Sequence, residues 1–128
     1  MKTKILVVDD EPDVRDILQK KLRDRGYLVS TAADGVEGMQ IATQELPDLI
    51  LLDVMMPNKD GFSMLKELKA NEQTQKITVV MATAKGQLQD IYYGQDIGAT
   101  DYLCKPIDFA NLLKYIRKYT LTDETEPT

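Results

Sequence analysis

Short apolar runs alternate along this chain with longer segments of mixed character. Runs rich in β-formers occupy Ile5–Val8, Leu28–Thr31, Leu49–Leu52, Ile77–Met81 and Tyr102–Cys104. The first, third and fourth are almost continuously apolar, as strands buried on both faces are. Between the runs, apolar residues recur at helical spacing. Val14, Ile17, Leu18 and Leu22 define one helix face, and Met64, Leu65 and Leu68 define another. Leu112, Leu113 and Ile116 do the same near the end, while Val36, Met39 and Ala42 form a weaker stripe. Gln87–Ile97 is the weakest of the five helical segments, with Leu88, Ile91 and Tyr92 as a thin stripe. The punctuation agrees with these boundaries. Pro12 suits a first helical turn, where its missing N–H costs nothing. Gly26 suits a helix stop, Pro47-Asp48 separates the second helix from the third strand, and Asp108 suits the cap of the last helix.

Five strands alternating with helices of this length predict an α/β fold, a doubly wound five-stranded parallel sheet with helices on both faces. The chain has 128 residues, one domain's worth, with no internal linker. The expected division is a domain over residues 1–119 and a polar, acidic tail or linker over 120–128, predicted to be disordered.

Composition removes whole classes of chemistry. There is no histidine, so His-based acid–base catalysis, Ser–His and Cys–His pairs and His metal sites are excluded. The single cysteine, Cys104, allows no internal disulfide, and its simplest reading is a small buried strand residue. With 16 basic and 21 acidic residues, the net charge of −5 argues against direct nucleic-acid binding. The apolar run Ile5–Val8 is too short for a signal-peptide core or a membrane span, so the expected location is cytoplasmic.

In an open parallel sheet, ligands bind beyond the carboxyl ends of the strands. Asp9, Asp10 and Glu11 follow the first run, Asp53 the third, Thr83 and Ala84 the fourth, and Lys105 with Pro106 the fifth. If the strands are parallel, these side chains share one edge. Clustered carboxylates repel one another unless a positive charge sits among them, and the candidates are Lys105 and a metal. Oxygen ligands alone select a hard cation, and few carboxylates with room for water favour Mg²⁺, or Mn²⁺ in its place. A divalent ion beside a carboxylate, a hydroxyl and a lysine suits phosphoryl transfer. Asp53, from an inner strand between the acidic pair and the Thr83/Lys105 side, is the best candidate for a nucleophile that forms an aspartyl phosphate.

The constellation resembles the receiver domain of two-component response regulators, the chemotaxis-regulator-like family. The matching segments are Asp9-Asp10 after Ile5–Val8, Asp53-Val54-Met55-Met56-Pro57 followed by Asn58-Lys59-Asp60-Gly61, Met81-Ala82-Thr83-Ala84, and Gly98 to Pro106. They stand in order at strand ends and span about Lys4 to Tyr119. The resemblance implies a (βα)5 flavodoxin-like fold with strand order 2-1-3-4-5 and a phosphorylation switch. A sensor histidine kinase or a histidine phosphotransfer protein would donate a phosphoryl group to Asp53 in a Mg²⁺-dependent reaction. Asp10 would bind the metal directly and Asp9 directly or through water. Asp53 and the Met55 backbone carbonyl would be further ligands. Lys105 would pair with the phosphoryl group, Thr83 would move to hydrogen-bond it, and the ring of Tyr102 would turn inward behind. Output would pass through the face made by Gln87–Ile97, Tyr102–Lys105 and Asp108–Tyr119, to a downstream protein, an output domain or a second copy in a phosphorylation-dependent homodimer. Met55 and Lys85 stand at the family's two lifetime-tuning positions. Asn58 replaces a common Gly and Ile107 a common Phe, and neither is expected to touch the chemistry. The expected role is a switch acting on its own phosphoryl group, not a turnover enzyme.

Two rival functions share parts of this pattern. A haloacid-dehalogenase-like phosphohydrolase also uses a strand-end Asp and Mg²⁺, but it resembles Asp-x-Asp, and here the second position is Met55, which cannot move a proton. A flavodoxin-like cofactor binder needs a glycine- and hydroxyl-rich loop after the first strand, where this chain places Asp9-Asp10-Glu11. Those charges would repel a phosphate.

Overall fold

The computed structural model describes residues 2–56, 58–84, 93 and 95–120. Five strands, β1 (Lys4–Val8), β2 (Leu28–Ala32), β3 (Leu49–Asp53), β4 (Thr78–Thr83) and β5 (Asp101–Cys104), form one sheet. Its order is β2-β1-β3-β4-β5 and every neighbouring pair is parallel. Helices α1 (Pro12–Asp24), α2 (Gly35–Glu45), α3 (Gly61–Ala70) and α4 (Phe109–Thr120) cover it. The expected doubly wound architecture and strand order are therefore what the chain adopts. Of the expected helix Gln87–Ile97, only Tyr93 and Gln95–Ile97 are described, and there Ile97 N–H donates to the Tyr93 carbonyl at 3.2 Å. Pro57, Lys85 and the tail from Leu121 onward lie outside the described residues.

Alternation along the inner strands produces two cores. Ile5, Val7, Leu49, Leu51, Val80 and Leu103 point to one face, where Leu18 and Leu22 of α1 and Leu112, Leu113 and Ile116 of α4 meet them. Leu6, Val8, Ile50, Leu52, Val79 and Met81 point to the other, beneath Ala42 of α2 and Met64, Leu65 and Leu68 of α3. Burial of some two dozen apolar side chains, each stabilising by about 1.5–3 kcal/mol, drives this layering against chain entropy.

Helix ends follow their local chemistry. Pro12 opens α1, Asp13 lies in its first turn and Lys21 and Arg23 in its last, matching the helix dipole. Gly26, at φ +93°, closes α1 with bonds from Gly26 N–H to Arg23 and from Tyr27 N–H to Leu22, a Schellman-type stop. Asp34 and Asp60 cap α2 and α3 through the N–H groups of Glu37 and Ser63. Asp108 accepts from Ala110 N–H at 2.9 Å, as expected of a cap.

Three expectations need correction. Ile17 is 55% exposed, because Val14, Leu18 and Leu22 already share the buried stripe and Ile17 lies about 100° round the helix from Leu18. In α2 the buried positions are Gly35, Gly38 and Ala42, whereas Val36 is exposed. The helix approaches so closely that a Cβ on Gly38 would lie 2.9 Å from Met64 Cε and Sδ, so small residues rather than an apolar stripe mark this face. Cys104 is exposed, because it ends an edge strand whose inward position is taken by Leu103.

Candidate functional site

The strand order puts the carboxyl ends of β1 and β3 side by side, with Val8 opposite Leu52. Asp53 closes β3 and Asp9 follows β1, each buried among apolar neighbours at 5% and 4% exposure. Asp10 is exposed at the rim. Oxygen atoms of Asp9, Asp10 and Asp53 all lie within 4.8 Å of one another. Among the described residues, this is the one set of acidic groups placed to share an ion.

Lys105, just beyond β5, reaches across β4 into the cluster. Its Nζ lies 3.0 Å from Asp9 Oδ2, 3.1 Å from Asp53 Oδ2 and 3.4 Å from Glu11 Oε1. The positive charge demanded by the clustered acids is thus supplied by the chain itself. Burial disfavours the Lys105 ammonium, but hydrogen bonds and charges from Asp9 and Asp53 outweigh it and hold its pKa above the ordinary lysine value. Asp53 moves the other way. Burial, reinforced by the Asp9 charge, pushes its carboxyl up to about 6 against the pull of Lys105 and of Met55 N–H. Lys105 precedes a cis peptide bond to Pro106, and its own N–H donates to the Thr83 carbonyl at 2.8 Å.

Thr83 is the last residue of β4 and is buried, rather than lying just beyond the strand. Its strand neighbour Ala82 pairs with Asp53 and accepts from Val54 N–H at 3.0 Å, so Thr83 stands one step past the Asp53 level. Tyr102 sits opposite Met81, two residues down β4 from Thr83. It packs on the α2–α3 core, and its hydroxyl is buried. Met55 follows Asp53 with its side chain 73% exposed, and its N–H lies 3.4 Å from Asp53 Oδ1. The cluster therefore unites Asp9, Asp10, Asp53 and Lys105 directly, with Met55 and Thr83 on the adjoining backbone. Tyr102 belongs to the core below it.

Sequence reasoning missed the supports. Arg15 Nη1 donates to the Asp9 carbonyl at 2.8 Å, and Glu11 N–H to Asp9 Oδ1 at 2.9 Å, fixing that carboxylate. The spacing Asp9-x5-Arg15, one helical turn into α1, was the available signal. Asn58 takes a left-handed φ of +66°, and its amide donates to Asp34 Oδ2 at 2.8 Å. No pattern in one sequence links those two positions. Beside Lys105 an open groove of about 490 Å³ runs between Val14 and Ile17 of α1 and Pro106 and Ile107. Ile17, already exposed by its place on the helix, forms part of the groove's wall.

A doubly wound parallel sheet carrying, at its carboxyl edge, an oxygen-only acid cluster crossed by a lysine fits the class of phosphoryl-handling α/β proteins. Residues 5–117 match the response regulator receiver domain, and the chain belongs to that family. It is 45% identical over 114 residues to the DNA-binding dual master transcriptional regulator RpaA of Synechocystis, covering 89% of this chain and 47% of that protein. The chain spans about half the length, or less, of the first curated relatives it matches. Among solved structures it is similar to chemotaxis protein CheY4 of Vibrio cholerae, with a TM-score of 0.88 and 34% identity over 93% of this chain and 99% of that one. It is also similar to the receiver domain of sensor histidine kinase PA1611 of Pseudomonas aeruginosa, with a TM-score of 0.84 and 30% identity over 93% and 98% of the two chains. That structure has a magnesium ion coordinated in its active-site cleft. The chain is thus a receiver domain, a module of phosphorylation-dependent signalling, and its fold and acid cluster fit that class. The match is to the receiver family and not to the haloacid-dehalogenase-like or flavodoxin-like alternatives. Among the described residues no helix is long and apolar enough to cross a membrane.

Proposed function

We propose that this domain accepts a phosphoryl group on Asp53 from a phosphohistidine of a sensor kinase or phosphotransfer protein, and that the modification changes the face it offers to a partner. The observation that carries this reading is the buried Asp9–Lys105–Asp53 bridge, with contacts of 3.0 and 3.1 Å, beside the exposed carboxylate of Asp10. The donor set is all oxygen, so it fits Mg²⁺, with Mn²⁺ as substitute. Asp9, Asp10 and Asp53 would hold the ion with the Met55 carbonyl, and Asp9 could act through water. When bound, Mg²⁺ supplies positive charge to the phosphoryl oxygens.

The remaining steps belong to this chain's residues. One carboxylate oxygen of Asp53 attacks phosphorus, a P–O bond forms, and the P–N bond to the donor imidazole breaks. The nitrogen takes a proton as it leaves. Lys105 already faces Asp53, so it transfers its ion pair to the new phosphoryl oxygens. The Thr83 hydroxyl, one step beyond the Asp53 level, donates to the same group. Its shift leaves room behind it, where the ring of Tyr102, already packed on the α2–α3 core, stays inward. The donor must approach over this edge, and the apolar groove between Ile17 and Ile107 offers it a surface. Output passes through residues 87–97, Tyr102–Lys105 and Asp108–Tyr119, to a downstream protein, an output domain or a second copy. The domain acts on its own phosphoryl group rather than turning over a substrate, and its place is the cytoplasm.

Incubation with Mg²⁺ and acetyl phosphate tests the core of this reading. One acid-stable, base-labile phosphoryl group should appear, and Asp53→Asn should abolish it. Equal labelling of that variant would overturn the assignment. Thr83→Ala should accept phosphate but fail to transmit it. Amide shifts on adding beryllofluoride should concentrate around Asp53, at residues 83–97 and at Tyr102–Lys105.

A further inference from the structure

Asn58 stands where the family often has Gly and was expected to be silent. Its side chain is instead a tie between two elements. The loop between β3 and α3 is closed at its base by Gly61 N–H to the Val54 carbonyl at 2.9 Å. At its tip, Asn58 Nδ2 donates to Asp34 Oδ2 at 2.8 Å, and Gly35 N–H donates to the Lys59 carbonyl at 3.2 Å. Asp34 is a fixed anchor, because its Oδ1 caps α2 through Glu37 N–H at 2.9 Å, and Glu37 Oε1 accepts in return from Ala33 N–H. Its carboxyl is held below the usual range by the Glu37 N–H first and by Asn58 next. Gly35 is needed for the approach, since a Cβ there would lie 2.7 Å from the Lys59 carbonyl oxygen. Met55 sits between base and tip with 73% of its surface exposed, so its side chain does little to fix its carbonyl.

We infer that Asn58 is a positioning residue: through its bond to Asp34 it holds the loop so that the Met55 carbonyl faces the Asp9/Asp10/Asp53 cluster, tightening the hold on Mg²⁺. The inference rests on the proposed ligand role of Met55. Glycine at this position would keep the left-handed backbone but release the tip. Asparagine adopts that conformation more readily than most residues and adds the tie.

The test compares wild type, Asn58→Gly, Asn58→Asp and the double variant Asp34→Asn/Asn58→Asp. For each, the Mg²⁺ dissociation constant is measured by calorimetry, the initial rate of acetyl-phosphate labelling at subsaturating Mg²⁺ is recorded, and the melting temperature is taken in EDTA. Asn58→Gly should bind Mg²⁺ about three- to tenfold more weakly, the range expected from losing one solvent-exposed hydrogen bond. Asn58→Asp sets two carboxylates against each other and should weaken binding at least as much, although its added charge alone would strengthen it. The double variant exchanges donor and acceptor, keeps a good helix cap in Asn, and should restore binding to within about twofold of wild type. Labelling rates at saturating Mg²⁺ should converge. Wild-type Mg²⁺ affinity in Asn58→Gly and Asn58→Asp overturns the inference, as does a lower melting temperature with unchanged affinity. Failure of the double variant to recover overturns it as well. If wild type itself neither binds Mg²⁺ nor is labelled, the proposed function fails instead, and the inference fails with it.

Discussion

Asp53→Asn should make the metal-free protein more stable at neutral pH, and by an amount that vanishes in mild acid. In the folded chain burial raises the Asp53 carboxyl from 3.8 to about 6. At pH 7.5 the folded state must keep this group charged in a place that disfavours the charge, and the unfolded chain need not. A shift of this size corresponds to about 3 kcal/mol at 1.36 kcal/mol per pH unit, and solvent reaching the edge of the sheet reduces it to about 1–2 kcal/mol. The direction follows from proton linkage. A carboxyl whose folded pKa is raised binds more protons folded than unfolded between about 4 and 6, so the wild type recovers stability as pH falls through that window and loses it as pH rises. Asparagine is neutral throughout. Urea denaturation in EDTA, followed by circular dichroism, should therefore show a gain of about 1–2 kcal/mol for Asp53→Asn at pH 7.5, shrinking to a few tenths near pH 4. In melting temperature the gain should be about 4–8 °C at the higher pH. A variant no more stable than wild type at pH 7.5, or one whose advantage persists unchanged at pH 4, would refute the argument. Saturating Mg²⁺ should reverse the order, because the ion stabilises the wild type selectively.

Lys105→Met should destabilise the metal-free domain by about 1–3 kcal/mol, since it leaves Asp9 and Asp53 facing each other without their shared cation. Denaturation with and without Mg²⁺ should show most of that loss restored by the ion. Gly61→Ala should cost about 2 kcal/mol or more, because a Cβ there would sit 2.2 Å from the backbone oxygen of Asp53. A melting temperature within 2–3 °C of wild type would show that the loop relaxes freely. Substoichiometric Mn²⁺ should broaden the amide signals of Asp9–Glu11, Asp53–Met55 and Lys105 before any others. Broadening centred on another acidic group would move the metal site.

The sheet was legible because its inner strands are buried on both faces, and such runs as Leu49–Leu52 carry no competing pattern. The cluster was legible for a related reason: parallel strands bring all their carboxyl ends to one edge, so position along a strand is enough to place Asp9, Asp53 and Lys105 together. Helices were read less well where small residues do the packing. Gly38 against Met64 leaves no apolar signature, and the expected stripe through Val36 points outward. Cys104 was misplaced because an edge strand covers only one of its sides at its end. The cross-loop contacts were invisible altogether. Asp34 and Asn58 are polar residues 24 positions apart, and only the folded chain shows that one anchors the other.

The seating of α3 has a mechanical meaning. Its first residue, Gly61, lies against the peptide of Asp53, its Met64 is wedged under Gly38 of α2, and Lys69 at its far end donates to the carbonyls of Gln75 and Ile77 at 3.0 and 3.1 Å. On this flank β3 thus has a stator, a helix held at its start, middle and end. If Asp53 takes a phosphoryl group as proposed, the expected displacement runs the other way across the sheet, toward β4 and β5. A load applied at that carboxylate would in this way be rectified into movement on a single side.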